Sequence, residues 1–100
     1  MEDRLPPIHP GEILLEEFLE PLGMNPRQLA QALRVPPNRI NQIINRQRAV
    51  SADSARRLGR YFGTGPEFWM NLQMRYELET LEDRCGQQID AEVTPRQAMA

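Results

Sequence analysis

Residues 35–48 read VPPNRINQIINRQR, a stretch with three isoleucines and no acidic residue. On a helical wheel that starts after Pro37, Ile40, Ile43 and Ile44 fall within about 100° of one another, which predicts a buried side. Amide and guanidinium groups occupy the other side. Asn and Gln can pair with adenine, and arginine with guanine, when a helix enters the major groove. This side is a candidate DNA-reading surface, and an ordinary solvated helix face is the alternative.

The charge distribution supports a polyanion as the partner. The chain has 100 residues, 12 of them basic and 14 acidic, with a formal net charge of −2, and every basic residue is arginine. Residues 25–60 hold eight arginines against Asp53 alone, whereas residues 1–24 and 61–100 are both acidic. Because DNA responds to local potential, the basic middle matters more than the net charge.

The length and composition predict one soluble domain in the cytoplasm. A chain of 100 residues has room for a modest core but little room for a deep active-site cavity. No apolar run approaches the ~20 residues that cross a bilayer, so no membrane association is expected. The N-terminus MEDRLPPIHP lacks the basic and apolar regions of a signal peptide. Cys85, the only cysteine, fits a reducing compartment.

Enzymatic function is not expected. His9 is the only histidine, and its position between proline residues favours a helix-capping or packing role over catalysis. The sequence has no nucleophile elbow, no metal-ligand spacing and no phosphate-binding glycine loop. We therefore expect no catalytic residue, no metal and no cofactor.

Capping signals predict an all-α fold. No run of alternating apolar and polar residues predicts a strand. Asn25 to Gln28 form a predicted capping box with proline at the first helical position, Ser51 is a predicted cap, and Gly63 is placed to end a helix. Thr64 to Glu67 are a second predicted capping box. The predicted helices cover about residues 11–21, 26–33, 37–45, 52–62 and 66–84.

The apolar residues predict which side of each helix is buried. The first helix turns one broad apolar side inward and carries most of its glutamates opposite, with Ile13 among the acids. Its predicted inward residues are Leu14, Leu15, Phe18, Leu19 and Leu22. In the second helix the predicted inward residues are Leu29, Ala30 and Leu33. The second and third predicted helices, joined by a tight turn, have helix-turn-helix dimensions.

A resemblance to a known family makes this prediction specific. Residues 22–78 read LGMNPRQLAQALRVPPNRINQIINRQRAVSADSARRLGRYFGTGPEFWMNLQMRYEL, preceded by HPGEILLEEFLEP. They resemble the HigA branch of the Xre/Cro helix-turn-helix family, the antitoxins of higBA-type modules. The match extends over about residues 8–85, and VPPNRINQI and GRYFGTGPEFWMNLQ carry most of it. It implies a five-helix lambda-repressor-like domain with a long C-terminal helix.

The resemblance also implies partners. They are a second copy of the chain, palindromic double-stranded operator DNA and a ribonuclease toxin of the HigB type, which such antitoxins neutralise by direct binding while repressing their own operon. Two other functions stay open on the sequence alone. One is an Xre-type repressor without a toxin, and the other is a protein-binding inhibitor that does not bind DNA.

The DNA-binding residues are expected around the recognition helix. The resemblance places base or phosphate contacts at Asn38, Arg39, Asn41 and Gln42, with backbone contacts further along. Pro26 stands where many relatives have a phosphate-binding glutamine, so anchoring is expected to pass to helix-start N–H groups and neighbouring side chains. Arg56, Arg57 and Arg60 extend the basic rim or pair with acids such as Asp53. The predicted DNA-binding set is Arg27, Gln28, Asn38, Arg39, Asn41, Gln42, Asn45, Arg46 and Arg48.

The last predicted helix carries two apolar stripes, whereas a helix on one small core needs only one. The first stripe contains Phe68, Trp69, Leu72 and Tyr76. The second contains Met70, Met74, Leu78, Leu81 and Cys85. A twin subunit would cover the second stripe and supply the second recognition helix that a palindrome needs, about 34 Å from the first. The alternative is one larger core. The predicted dimerisation residues are Met70, Met74, Leu78 and Leu81.

A basic toxin would favour the acidic ends of the chain, although these are also compatible with a plain solvated surface. The preferred toxin-binding patch consists of Glu12, Ile13, Glu16, Glu17 and Glu20, and a second patch consists of Glu79, Glu82 and Asp83. The predicted organisation is an N-terminal arm over residues 1–9, the helix-turn-helix antitoxin domain over residues 10–85 and a flexible C-terminal tail over residues 86–100.

Overall fold

The computed structural model describes residues 5–97, in which five helices and no strand are found. Helix α1 covers residues 10–22 as three joined pieces, which are Pro10–Ile13, a π-helical stretch Leu14–Leu19 and Glu20–Leu22. The remaining helices are α2 Pro26–Leu33, α3 Pro37–Ile44, α4 Ala52–Phe62 and α5 Pro66–Glu92. The predicted all-α, five-helix fold is confirmed.

His9 fixes the start of α1. Its Nδ1 accepts a hydrogen bond from the N–H of Gly11 at 2.9 Å, and Pro10 occupies the first helical position. The His9 ring is buried and packs edge-on against Tyr76, with ring centroids 4.8 Å apart. The predicted capping and packing role of His9 is therefore confirmed.

A π-helical turn changes the buried side of α1. Leu14 and Leu19 are both fully buried although they are five residues apart, which is the spacing of π-helix hydrogen bonds. The backbone N–H of Glu20 accordingly donates to the carbonyl of Leu15. The extra residue rotates the end of the helix, so Leu22 is 59% exposed and the prediction that it faces inward was wrong.

The predicted capping box at the start of α2 is confirmed. Asn25 Oδ1 accepts the N–H of Gln28 at 2.8 Å, and Gln28 Oε1 accepts the N–H of Asn25 at 2.9 Å. At the other end Arg34 adopts a left-handed conformation with φ of 62°, and the N–H of Val35 donates to the carbonyl of Ala30 at 3.0 Å. This tight turn sets the direction of α3.

The boundaries of α4 are confirmed, and one cap of α5 is not. Ser51 Oγ accepts the N–H of Ser54 at 3.2 Å, and Gly63 ends α4 with φ of 76°. The N-cap of α5 is Gly65, which has no side chain to make a cap, and the Thr64 hydroxyl donates to the Gly65 carbonyl. The predicted capping box over Thr64 to Glu67 was therefore wrong.

The core brings all five helices together around Trp69, which is fully buried. The Phe18 ring lies 4.8 Å from Phe62 and 5.1 Å from Trp69, so aromatic residues join α1, α4 and α5. The predicted inward residues of α2 and α3 are confirmed, with Ile44 half-buried beside them. The buried apolar residues are Leu14, Leu19, Leu29, Ala30, Leu33, Ile40, Ile43, Val50, Ala55, Leu58 and Trp69.

Two contacts hold α3 and the loop after it in place. Gly11 lies against the end of α3, where an added Cβ would sit 2.0 Å from the carbonyl oxygen of Ile43, so only glycine allows this approach. The buried side chain of Gln73 accepts the backbone N–H of Val50 through Oε1 at 2.8 Å. The end of α3 is thus fixed to α1, and the loop after it is fixed to α5.

Helix α5 is interrupted near its predicted end. Cys85 has a non-helical conformation with φ of −149°, and helical structure then resumes as far as Glu92. The prediction that the helix ends near Arg84 was therefore wrong, although the kink falls next to that residue. Flexibility of the tail stays a prediction, and residues 1–4 of the predicted arm and 98–100 of the tail lie outside the described residues. None of the described helices combines the length and hydropathy needed to span a membrane.

Candidate nucleic-acid interface

Helix α3 separates an apolar side from a polar one. Ile40 and Ile43 are buried, whereas Asn38, Asn41 and Asn45 are exposed. Asn41 Nδ2 makes only a long 3.3 Å hydrogen bond to the carbonyl of Pro37 on its own helix. These three amides therefore remain accessible to groups outside the chain, as the sequence predicted for a DNA-reading surface.

A shallow cleft separates the starts of α2 and α3. Its walls include Asn25, Pro26, Arg27, Pro37 and Asn41. The capping box occupies the N–H groups of Asn25 and Gln28, and Pro26 has none. The N–H of Arg27 lacks an acceptor within its own first turn and lies beside an exposed guanidinium side chain. Of these N–H groups, the cap leaves that of Arg27 unused, and it also leaves the side-chain nitrogen of Gln28 unused, because only the Gln28 oxygen serves the cap.

Gln42 and Arg48 form a pair next to the exposed amides. Arg48 Nε donates to Gln42 Oε1 at 2.9 Å, joining the recognition helix to the loop that follows it. Gln42 is half-buried and Arg48 is exposed. The pair positions the Gln42 amide and places a positive charge at the edge of α3, where a phosphate would lie if the helix entered a groove.

Arg39 is turned towards α4. Its Nη1 donates to Asp53 Oδ2 at 2.6 Å, and the same oxygen accepts from Arg57 Nε at 2.9 Å. Arg57 Nη1 also donates to the carbonyl of Leu33 at 2.8 Å. Arg39, which the sequence predicted to contact DNA, thus has an internal partner in this structure. Arg57 pairs with Asp53, which agrees with the alternative prediction for Arg57.

Arg46 lies against α1. It has a left-handed conformation with φ of 61°, and its Nη2 lies 3.1 Å from Glu12 Oε1. Burial, followed by the positive charge of Arg46, lowers the pKa of His9 below its ordinary value of 6.5. The structure therefore places the Arg46 guanidinium beside the N-terminal end of α1, with 61% of its side chain still exposed next to Asn45.

Arg56, Arg57 and Arg60 line a small hollow between α2 and α4, together with Tyr61. Arg56 and Arg60 are exposed and four residues apart, so they share one face of α4 as the sequence predicted. This second group of arginines adds positive potential near the helix-turn-helix without touching α3 in the described contacts.

The second stripe of α5 remains outside the core of the single chain. Met70, Met74, Leu78 and Leu81 are 39%, 55%, 60% and 45% exposed, and Cys85 is half-buried. They form one side of an apolar groove that also includes Val50. The alternative prediction that both stripes fill one larger core was therefore wrong.

The acidic face of α1 is mostly accessible. Glu16, Glu17 and Glu20 are exposed, whereas Glu12 and Ile13 are half-buried. In the second acidic patch Glu82 and Asp83 are exposed, and the half-buried Glu79 lies 3.5 Å from Arg75.

An apolar groove next to Ile13 was missed by the sequence reasoning. It is lined by Leu5, Pro6 and Ile8 of the N-terminal arm together with Leu72. Leu5 and Ile8 are 78% and 45% exposed. Apolar residues in a proline-containing arm were the signal that could have pointed to it. The position of Asp53 as the lone acid among the central arginines was likewise a signal, since it predicts ion pairs with more than one of them.

Comparisons with known proteins agree with this geometry. A family model described as helix-turn-helix matches residues 15–69. The chain is similar to the solved structure of Pseudomonas aeruginosa antitoxin HigA with the higBA promoter, at 50% identity and a TM-score of 0.87, covering 91% of this chain and 99% of that one. It is also similar to an addiction module antidote protein of the HigA family from Coxiella burnetii, at 47% identity and a TM-score of 0.87, with the same coverage.

A curated relative points in the same direction. Antitoxin HigA-1 of Vibrio cholerae is 37% identical over 78 residues, which cover 78% of this chain and 73% of that protein. These relatives carry the names of antitoxins or antidote proteins, and none of the three is named as an enzyme. From the matched domain and the matched structures together, the chain belongs to the Xre family of helix-turn-helix proteins, in the branch of the HigA antitoxins.

Proposed function

We propose that this chain is the antitoxin of a HigBA-type module. It binds a palindromic operator as a homodimer, represses its own operon and neutralises a ribonuclease toxin of the HigB type by direct binding, in the cytoplasm. The observation that carries the proposal is the exposed amide face of α3, free of carboxylates, on a fold shared with a 50% identical HigA that was solved with its promoter.

DNA binding follows from the contacts around α3. Asn38 and Asn41 are accessible for base edges, and Gln42 is oriented by Arg48. The Arg27 N–H and guanidinium border the cleft between α2 and α3, where a phosphate oxygen would accept hydrogen bonds from both groups. Asn45 lies at the end of α3 and is accessible for a contact with the DNA backbone. If ~4–6 arginines neutralise phosphates, log K falls with log salt at a slope of about −4 to −5.

Dimerisation through α5 would bury the exposed second stripe. A single apolar side chain on a protein surface needs no explanation, but four large ones in one groove indicate an interaction site. A two-fold interface requires such a patch to be complementary to itself. Val50 lies in the same groove and belongs to the loop that follows α3, so the interface would fix the distance between two recognition helices. A palindrome requires that distance to be about 34 Å.

Toxin binding is proposed for the acidic face of α1. Glu16, Glu17 and Glu20 give a row of accessible negative charge that suits a small basic protein. Ile13 lies at the border of this row and of the apolar groove formed by the arm. An apolar contact flanked by complementary charge is the usual composition of a specific interface.

The proposal is tested by co-expression with the product of the adjacent reading frame, followed by binding of the purified protein to its upstream DNA. The proposal predicts co-purification together with selective, salt-sensitive DNA binding. DNA binding without co-purification would indicate an Xre-type repressor that lacks a toxin. Co-purification without DNA binding would indicate a pure inhibitor, and either result contradicts the proposal.

A matched pair of variants locates the toxin surface. Glu16→Lys should abolish co-purification and leave operator binding intact, whereas Glu82→Lys, the same charge change in the second acidic patch, should leave both intact. Loss of the toxin only in Glu82→Lys would move the site to the second patch.

A further inference from the structure

Asp53 is the only acidic residue between positions 25 and 60, where it is accompanied by eight arginines. It lies in the first turn of α4, where a negative charge stabilises the start of a helix. Stabilising the start of α4 in this way would not require a hydrogen bond to any particular side chain. The contacts of Asp53 are more specific, because they reach the recognition helix.

One carboxylate oxygen of Asp53 connects three helices. Oδ2 accepts from Arg39 of α3 at 2.6 Å and from Arg57 of α4 at 2.9 Å, and Arg57 continues to the Leu33 carbonyl at the end of α2. These two hydrogen bonds, from Arg39 first and Arg57 second, lower the pKa of Asp53 below its ordinary value. The carboxylate therefore stays ionised, and the Arg39 guanidinium is held by one of its terminal nitrogens.

Holding Arg39 in place would affect selectivity for a DNA sequence more than overall affinity for DNA. An arginine that moves freely pairs with any phosphate, and phosphates are the same in every DNA sequence. An arginine fixed by a neighbouring carboxylate contributes only where an acceptor meets its remaining N–H groups. The Asp53 charge also repels phosphates that are not matched by such a contact. The side chain of Arg39 is 25% exposed, which leaves part of the guanidinium accessible while it is paired.

We propose that Asp53 is a positioning residue for sequence discrimination, which holds Arg39 beside α3 and lowers affinity for non-operator DNA more than for the operator. This inference rests on the proposed DNA-binding function. The exposed Arg57–Asp53 pair, with its i,i+4 spacing, contributes little to stability by itself, so stability of that pair alone does not explain why Asp53 also contacts α3.

The test compares binding to a duplex from the upstream region of the gene with binding to a scrambled duplex of equal length and composition, by fluorescence anisotropy over a salt series. In Asp53→Asn, affinity for the scrambled duplex should rise about five- to tenfold and its salt slope should steepen by about 1, since one more arginine reaches phosphate. Operator affinity should change less, so the ratio of the two affinities falls. Asp53→Glu should restore much of the ratio.

Controls separate positioning from charge alone. Asp90→Asn makes the same change of net charge on the last turns of α5 and should leave the ratio unchanged. In an Arg39→Ala background, Asp53→Asn should raise affinity for the scrambled duplex less than it does when Arg39 is present, because only the loss of the Asp53 charge and the release of Arg57 remain. An unchanged ratio in a folded Asp53→Asn protein, or an equal effect with and without Arg39, would overturn the inference. Wild-type protein that fails to distinguish the two duplexes would instead overturn the proposed function, and this inference with it.

Discussion

Arg48 donates a hydrogen bond from Nε to Oε1 of Gln42 at 2.9 Å, so the loop after α3 orients an amide of the recognition helix. The two residues are six positions apart, and the pair exists because the chain reverses direction after Asn45. The binding energies of a base contact by Gln42 and a phosphate contact by Arg48 would then be coupled.

This pair leads to the first prediction. Gln42→Ala should relax operator discrimination by ~1–3 kcal/mol at one base pair. Arg48→Ala should lose part of the same discrimination energy. The loss in the double variant should be smaller than the sum of the two single losses by at least about 0.5 kcal/mol. Competition binding to single-base operator variants measures all three values. The matched control Gln87→Ala, an exposed glutamine of α5, should behave as wild type, and strictly additive losses would contradict the coupling.

The second prediction concerns the exposed stripe of α5. Leu78→Glu places a charge in the middle of the proposed interface and should give a monomer in light scattering. Operator affinity should fall about a hundredfold or more, because two recognition helices are no longer held together. Gln87→Glu adds the same charge on the same helix and should remain dimeric. A dimeric Leu78→Glu protein with normal DNA binding would show that this groove is not the interface.

The third prediction concerns the buried hydrogen bond between Gln73 and Val50. Gln73→Ala leaves the N–H of Val50 without its acceptor and should cost about 1–3 kcal/mol in the free energy of unfolding. Urea denaturation monitored by circular dichroism measures this loss. An exposed counterpart, Gln88→Ala, should change the value by at most a few tenths of a kcal/mol. Equal stability of the two variants would mean that the bond does not hold the loop.

The fourth prediction concerns pH. Because the folded state lowers the pKa of His9 below 6.5, the folded protein binds fewer protons there than the unfolded chain. The contribution of His9 to stability is therefore complete above pH 6.5 and is lost as the pH falls below that value towards the folded pKa. His9→Asn can cap α1 without titrating, so its stability should depend less on pH just below 6.5. Identical pH dependence of the two proteins would contradict the lowered pKa of His9.

The fold was predictable from the sequence because its signals are local. The capping box of Asn25 and Gln28 and the isoleucine spacing of α3 each involve residues within one or two helical turns. The exposure of Leu22 was not predictable in this way, because it depends on an inserted residue in the π-helical stretch that regular 3.6-residue periodicity does not represent. Helical structure from Gly86 to Glu92 was missed for a related reason, since these residues lack an apolar period.

The arrangement of the candidate site was only partly predictable. Which residues of α3 face outwards follows from the wheel, but the partners of its arginines do not. Arg39 meets Asp53 across 14 positions and Arg46 meets Glu12 across 34, and both pairs depend on how separate helices pack. Periodicity assigns a side chain to a face of its own helix, whereas tertiary packing decides what lies opposite that face.

The central claim is that the amide face of α3 reads DNA. It is tested most directly by the ratio of affinities for the upstream duplex and a scrambled duplex, measured in wild-type protein and in Asn41→Ala. We expect selective binding by the wild type and a ratio lowered by about 5- to 150-fold in the variant, corresponding to ~1–3 kcal/mol for one lost base contact. The same ratio in both proteins, with DNA binding otherwise intact, would contradict the claim.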